Sequence, residues 1–153
     1  MAVGRLYTVA IGAQAQTAAK TLIEIAAPAD AVVIVERVYI GQSSQDTSEN
    51  LACKIERITT TGTGTTTTAA PFQVGDAAFG GTVKTNLTVE PTYSATVLIR
   101  QGFSVLSGFL WTSASDDEVI TVSPSALIGV MLDVAPSASM NFHYGCTFRE
   151  IGG

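Results

Sequence analysis

The sequence is poor in charged residues. Only 14% of its 153 residues are Asp, Glu, Lys or Arg, against about 25% in a typical soluble domain. The eight basic residues are scattered and the net charge is −5, so no basic patch is expected to bind the phosphates of a nucleic acid. So few charges indicate a protein that covers part of its surface with protein partners. The alternative is a compact monomer whose surface is rich in Ser and Thr.

Cysteines and long apolar segments are also scarce. Cys53 and Cys146 are too few for a disulfide framework or a zinc pattern. We expect buried free thiols, although a single bridge between them is compatible with the sequence. The longest apolar segment, 26–35, is interrupted by Pro28 and Asp30 and is too short to span a membrane. The first residues lack the apolar stretch of a secretory signal, which predicts synthesis in the cytoplasm.

Residues that usually carry catalysis form no recognisable pattern. His143 is the only histidine, and the sequence has neither a nucleophile elbow nor a phosphate-binding loop. The acidic cluster at 116–118 lacks the spacing of a calcium loop and is typical of a solvated turn. Nothing singles out a catalytic pair among four glutamates predicted on different strands. These are Glu24, Glu36, Glu56 and Glu90. The sequence therefore predicts no enzyme, no metal site and no cofactor.

What the sequence has in quantity is alternation of apolar and polar residues, the pattern of a strand with one buried face. It is clearest near the end of the chain, where every second residue from Met140 to Phe148 is apolar. Segment 31–40 is apolar on both faces apart from Glu36 and Arg37, which predicts a central strand buried on both sides. About ten strands are predicted, at 5–11, 21–25, 31–40, 51–58, 85–89, 96–101, 103–111, 118–122, 128–134 and 140–148.

Little helix is expected. Residues 13–20 favour two helical turns and residues 46–50 favour one. Without longer helices the sheets are expected to be antiparallel. The Thr-rich segment 59–70 and the segment 72–81 predict one long loop, 59–81, although an edge strand is an equally good interpretation of 65–68. The whole chain, 1–153, is thus predicted to be a single antiparallel β-sandwich with a short N-terminal arm, 1–5.

Three stretches carry a resemblance to a known class of proteins. The opening MAVGRLYTVAIGAQAQTAAKTLIEIAAPADAVVIVERVYIGQ, the middle VGDAAFGG and NLTVEPTY, and the closing SPSALIGVMLDVAPSASMNFHYGCTFREIGG resemble small virion proteins of tailed bacteriophages. Some of these are head decoration, or cement, proteins with a jelly-roll fold similar to tumour-necrosis-factor domains. The resemblance implies a homotrimer on the outer capsid surface. There it would bind the major capsid protein at capsomer junctions and stabilise the shell against the pressure of packaged DNA.

The resemblance supplies no site residues, so the candidates for the contacts are chosen from the sequence itself. Aromatic side chains commonly anchor interfaces, and the monomer core is the alternative position for each of them. The candidates for the trimer axis are Phe142, Tyr144 and Phe148, followed by Trp111 and Phe109. The N-terminal arm, the long loop and the C-terminal tail supply the candidates for the capsid-facing surface, which are Val3, Arg5, Phe72, Phe79 and Arg149.

Other functions fit the same pattern of strands. A trimeric tail or receptor-binding module that recognises a host glycan would expose Trp111, Tyr39 or Tyr93 to stack on a sugar ring. An enzyme would need a site assembled from the scattered glutamates. A signalling ligand of the tumour-necrosis-factor type would need a secretory signal or a membrane anchor, and neither is seen.

Overall fold

The protein is a two-layered antiparallel β-sandwich. A computed structural model describes residues 4–44 and 47–153. These residues form twelve strands and no helix, and accordingly contain no helical segment able to cross a membrane. The strands are β1 (Arg5–Gln16), β2 (Lys20–Ala26), β3 (Ala31–Gln42), β4 (Asn50–Thr60), β5 (Thr63–Thr67), β6 (Ala70–Pro71), β7 (Thr82–Val89), β8 (Thr92–Ser104), β9 (Phe109–Thr112), β10 (Ile120–Val122), β11 (Leu127–Leu132) and β12 (Met140–Gly152).

The strands pair in nested order. Sheet A has the order β10-β3-β12-β1-β6, with β9 also paired to β3, and sheet B has the order β5-β7-β2-β11-β4-β8. Strand β1 pairs with β12, β2 with β11, β3 with β9 and β10, and β4 with β8. A long hairpin rolled into two layers gives this pattern, which is the connectivity of a jelly roll. The predicted fold class is therefore confirmed.

The core lies between the two sheets. The alternating apolar face of β12 is fully buried, with Phe142, Tyr144 and Phe148 each 0% exposed. Residues of sheet B such as Ile55 and Val130 belong to the same cluster. Complete burial of one such side chain contributes about 1.5–3 kcal/mol. The alternation in the sequence thus identified the strand that supplies the largest part of the core.

The predicted helix at 13–20 is wrong. Strand β1 continues to Gln16, because Gln14 and Gln16 pair with Phe142 and Met140 of β12. A bulge between Ile11 and Gln14 accommodates Ala13 at a φ of 46°. The ladder to β12 outweighs the helix propensity of the Ala and Gln residues. The second predicted turn, 46–50, lies partly outside the described residues, and β4 begins at Asn50.

Two loop and strand boundaries also differ from expectation. The predicted loop 59–81 contains β5 and β6, so the Thr-rich segment is an edge strand. The predicted strand 103–111 is interrupted by a turn, where Gly108 has a φ of 75° and separates β8 from β9. The alternation of apolar and polar residues continues through this turn in the sequence, because Phe103 and Phe109 both point into the core. Their ring centroids are 6.0 Å apart.

Strand β3 is central, as predicted, but it is buried on one side only. Val33 and Val35 face the core, whereas Val32 and Ile34 are partly exposed on the outer face of sheet A. A sandwich of two layers leaves each sheet one outer face, so an apolar residue there is covered only in part by its neighbours.

Strands β4, β5, β7 and β8 form one long ribbon, residues 50–67 paired with residues 82–104. One end of this ribbon pairs with β11 and the other with β2, so its middle crosses the outer face of sheet B. The contacts agree: the Gly62 N–H of the ribbon donates to Oε2 of Glu24 on β2 at 2.9 Å. The backbone N–H of Thr21 donates to the carboxylate of Glu90 at 3.0 Å. The crossing ribbon therefore buries polar side chains outside the main core.

Candidate binding surface

A segment that follows β6 is fixed onto the edge of sheet A. The Phe72 N–H donates to Leu6 O at 2.9 Å, and the Tyr7 hydroxyl donates to Ala77 O at 2.8 Å. Further along, the Gly80 N–H donates to Oε2 of the buried Glu150 at 2.9 Å. The three hydrogen bonds hold residues 72–80 in a defined position against β1 and β12.

Phe72 is displayed by this segment. Its side chain is 54% exposed and lies between two surface depressions, of about 470 Å³ and about 390 Å³. We call the two depressions and Phe72 together the Phe72 groove. The first depression is lined by Glu36, Arg37, Ser113, Asp116, Val119 and Thr147. The second is lined by Gly4, Arg5, Leu6, Gln73, Asp76 and Arg149.

Arg149 connects the two halves of the groove. Its Nε donates to Oε1 of Glu36 at 2.8 Å, and its Nη1 donates to Gly4 O at 3.0 Å. Beside it, Nη1 of Arg5 lies 3.5 Å from Oε1 of Glu150. These contacts fix the arginine side chains and so define the charge pattern of the groove in advance of binding.

The structure brings together three of the five residues predicted to face a capsid. Arg5, Phe72 and Arg149 all line the second depression, although they come from three distant parts of the chain. Phe79 is in a different environment, because its ring packs on Tyr7 and Phe148 with centroid distances of 5.5 and 4.9 Å. Phe79 therefore belongs mainly to the core. Val3 lies outside the described residues.

Four of the five residues predicted for a trimer axis are not at the surface. Phe142, Tyr144 and Phe148 are 0% exposed and Phe109 is 3% exposed in the single chain. These four assignments are corrected, because the apolar face of β12 and the inner face of β9 point toward sheet B. Trp111 is partly buried against the same core. It lines a separate depression of about 340 Å³ that also includes Arg57, Asp117 and Glu118.

A group of carboxylates that the sequence did not connect meets beneath the crossing ribbon. Glu24 and Glu56 are 1% and 3% exposed and are the partners of Gly129 on its two sides. Lys84 Nζ lies 3.6 Å from Oε1 of Glu24. Lys54 Nζ lies 2.9 Å from Oε2 of Glu56, although the two atoms are not aligned for a hydrogen bond. Their burial and pairing indicate a structural role.

Tyr93 of the ribbon completes this polar cluster. A Cβ on Gly129 would lie 2.8 Å from the Tyr93 hydroxyl, so the glycine leaves the space that the tyrosine occupies. The hydroxyl is 2.6 Å from Oγ1 of Thr21. Burial, together with the nearby carboxylates of Glu90, Glu56 and Glu24, raises the pKa of Tyr93. A glycine between bulky apolar residues of β11 was the only sequence signal of this crowded position.

The remaining chemical candidates do not form a site. His143 is exposed on the outer face of β12, and the acidic residues 116–118 are exposed on the loop between β9 and β10. Glu36 faces outward and pairs with Arg149, away from the other three glutamates. Residues 4–44 and 47–153 contain no group of three or more His, Cys, Asp or Glu side chains placed to hold a metal ion.

Both cysteines are free and fully buried. Burial raises the pKa of Cys53 and of Cys146 to about 12. Since the thiolate is the reactive form, its fraction at pH 8 is about a thousand-fold lower than for an exposed thiol. We therefore expect Ellman's reagent to modify neither cysteine of the native protein within minutes, and to modify both in urea. Rapid reaction of one thiol in the native protein would contradict this expectation.

Comparisons with protein-family models, curated proteins and solved structures give no match to this chain. The chain's own residues and geometry are therefore the basis for proposing what it does. Among its surface features, the Phe72 groove combines an exposed aromatic residue, fixed charges and concave shape. These are the properties of an interface anchor.

Proposed function

We propose that this chain is a structural virion protein, a decoration or cement protein that binds the outer surface of a tailed-phage capsid. The Phe72 groove is the observation that carries the proposal. It presents an aromatic side chain at 54% exposure on a segment held by three hydrogen bonds. A fixed aromatic anchor loses little conformational freedom on binding, so more of its contact energy appears as affinity. In this function the groove would contact the major capsid protein.

The mechanism is mechanical and requires no catalytic residue. A homotrimer at a capsomer junction would place three copies of the groove against neighbouring capsid subunits. Three linked contacts give an avidity well above that of one contact, and a closed three-fold assembly matches a local three-fold position on the shell. The resemblance to phage virion proteins and the jelly-roll connectivity both support this arrangement.

The trimer contacts would come from exposed residues, since most of the first candidates are in the core. Leu106, in the turn after β8, and Leu110, on β9, are 57% and 63% exposed. They lie close together in the sequence and are the candidates that replace Phe142, Tyr144, Phe148 and Phe109. Light scattering after size-exclusion chromatography should give three times the mass of the chain. A monomer that stays monomeric on the capsid would contradict the trimer.

Binding to phage heads tests the proposed function directly. Empty heads of the phage that encodes this chain would be mixed with the purified protein and sedimented. We expect Phe72→Ala to weaken binding about 30-fold, the loss typical of an interface hot spot of about 2 kcal/mol. Val89→Ala is the matched control, because Val89 is 58% exposed and lies on sheet B. Absence of binding by the wild-type protein at micromolar concentrations would refute the proposal.

One observation favours the glycan-binding module as a second candidate. Trp111 lies in its depression beside the carboxylates of Asp117 and Glu118 and the guanidinium of Arg57. Carboxylates and a guanidinium can hydrogen-bond sugar hydroxyls, and an indole ring offers an apolar face. Glycan-array binding that is lost in Trp111→Ala but kept in Phe72→Ala would support this module over the decoration protein.

A further inference from the structure

The two halves of the Phe72 groove carry opposite charge. The first depression has the carboxylates of Glu36 and Asp116 and the guanidinium of Arg37, so its net charge is −1. The charged groups that line the second are the guanidinium groups of Arg5 and Arg149 and the carboxylate of Asp76, a sum of +1, and the Glu150 carboxylate lies behind Arg5 at 3.5 Å. Phe72 lines both depressions, and the ion pair of Arg149 with Glu36 lies where the two halves meet.

The groove has the length of a short extended segment. It crosses three neighbouring strands, from Arg5 on β1 over Arg149 on β12 to Glu36 on β3. Neighbouring strands are about 4.8 Å apart, so the crossing measures about 10 Å, and the loops at either end extend it. In an extended chain the side chains at positions i−2, i and i+2 face the same way and span about 13 Å. Three such side chains fit the acidic half, Phe72 and the basic half.

The floor of the acidic half holds an unsatisfied polar group. Thr147 lines this depression and is only 7% exposed, and its Oγ1 has no hydrogen-bond partner. Buried hydroxyl groups are almost always hydrogen-bonded. A bound segment that reached this hydroxyl would supply its missing partner.

We propose that the Phe72 groove binds an extended segment of the partner with an apolar residue at its centre. Two positions to one side of this residue the segment has an acidic residue, and two positions to the other side it has a basic residue. The acidic residue lies against Arg5 and Arg149, the apolar residue packs on Phe72, and the basic residue lies against Glu36 and Asp116. The identity of the partner as a capsid protein rests on the proposed function, whereas the charge pattern of the segment follows from the groove.

Labelled peptides test the charge pattern on the isolated protein. The probes are the peptides DSLSK, DSLSD and KSLSK, measured by fluorescence anisotropy at low ionic strength. We expect the mixed peptide, DSLSK, to bind about three-fold tighter than either of the others, the effect of one exposed ion pair. The preference should weaken in 0.5 M salt, because the charges are exposed.

A charge reversal gives the sharper result. Asp116→Lys changes the net charge of the first depression from −1 to +1, so DSLSD should become the tightest of the three peptides. Asp117→Lys is the matched control, because Asp117 is the next residue of the same loop but lines the Trp111 depression. This control should leave the order of the three peptides as in the wild-type protein.

Several outcomes would overturn the inference. These are no binding of any peptide at millimolar concentration, equal binding of all three, or the same change of order in both lysine variants. A change in oligomeric mass on Phe72→Ala would show that a second copy of the chain occupies the groove, and would also overturn it. If the protein binds heads through Phe72 but does not distinguish the three peptides, this inference is refuted and the proposed function is not. Peptide selectivity without head binding would refute the proposed function alone.

Discussion

Replacement of Gly145 by alanine should lower the free energy of unfolding by about 3 kcal/mol. Gly145 lies on β12 opposite Tyr39 of β3, and the tyrosine ring covers it. A Cβ at this position would clash with Val9 O and lie 2.6 Å from the Tyr39 hydroxyl. The ring could move, but the backbone oxygen belongs to the ladder of β1 and cannot. Urea unfolding followed by tryptophan fluorescence measures the loss.

Gly41→Ala is the matched control for this substitution. Gly41 lies on β3 opposite His143, and the nearest atom to its added Cβ, His143 O, would be 4.0 Å away. We expect a change of less than about 1 kcal/mol. Equal losses in the two variants would mean that strand conformation, and not the packed tyrosine and backbone, makes Gly145 necessary.

Loss of the Glu24 carboxylate should destabilise the protein by about 3 kcal/mol, because Glu24→Ala breaks a buried ion pair and leaves its partners unsatisfied. Glu24 is 1% exposed. Its carboxylate accepts from the Gly62 N–H at 2.9 Å and lies 3.6 Å from Lys84 Nζ. Without it the Gly62 N–H loses its hydrogen bond to β2, while Glu90 still accepts from Thr21. Hydrogen exchange should therefore show faster exchange at Gly62 as well as lower global stability.

Glu36→Ala provides the comparison for Glu24. Glu36 also faces outward from its sheet and pairs with a cation, Arg149, at 2.8 Å, but its side chain is 31% exposed. Exposed pairs contribute about 0–1 kcal/mol, so this variant should unfold close to the wild-type urea concentration. A loss as large as that of Glu24→Ala would contradict the distinction between a covered and an exposed carboxylate.

The fold could be predicted from the sequence wherever burial differs between the two faces of a strand. Strand β12 alternates without interruption, since one face contacts sheet B and the other faces outward. The same criterion failed at 13–20, because the Ala and Gln residues there do not differ enough in polarity to mark a buried face. The hydrogen-bond ladder to β12 determines the structure of this segment. It failed again at 103–111, because Phe103 and Phe109 point into the core on both sides of a turn.

The site was predictable only in part. Arg5, Phe72 and Arg149 are ordinary residues in their own segments, and the pairing of β1 with β6 and β12 brings them together. Phe79 was misplaced because nothing local shows that its ring fits between Tyr7 and Phe148. The cluster of Glu24 and Glu56 depends on the register of three strands around Gly129, and register is a property of the whole sheet.

The nested pairing also has a consequence for how the chain is made. Strand β1 is synthesised well before its main partner, β12, because ten other strands lie between them in the sequence. Sheet A therefore cannot close before β12 has left the ribosome, and its early strands must wait with open edges. Such long-range closure makes folding slow, on the scale of milliseconds to seconds. During that interval unpaired edges of two nascent chains can associate, so slower translation ahead of residue 140 is expected to increase aggregation.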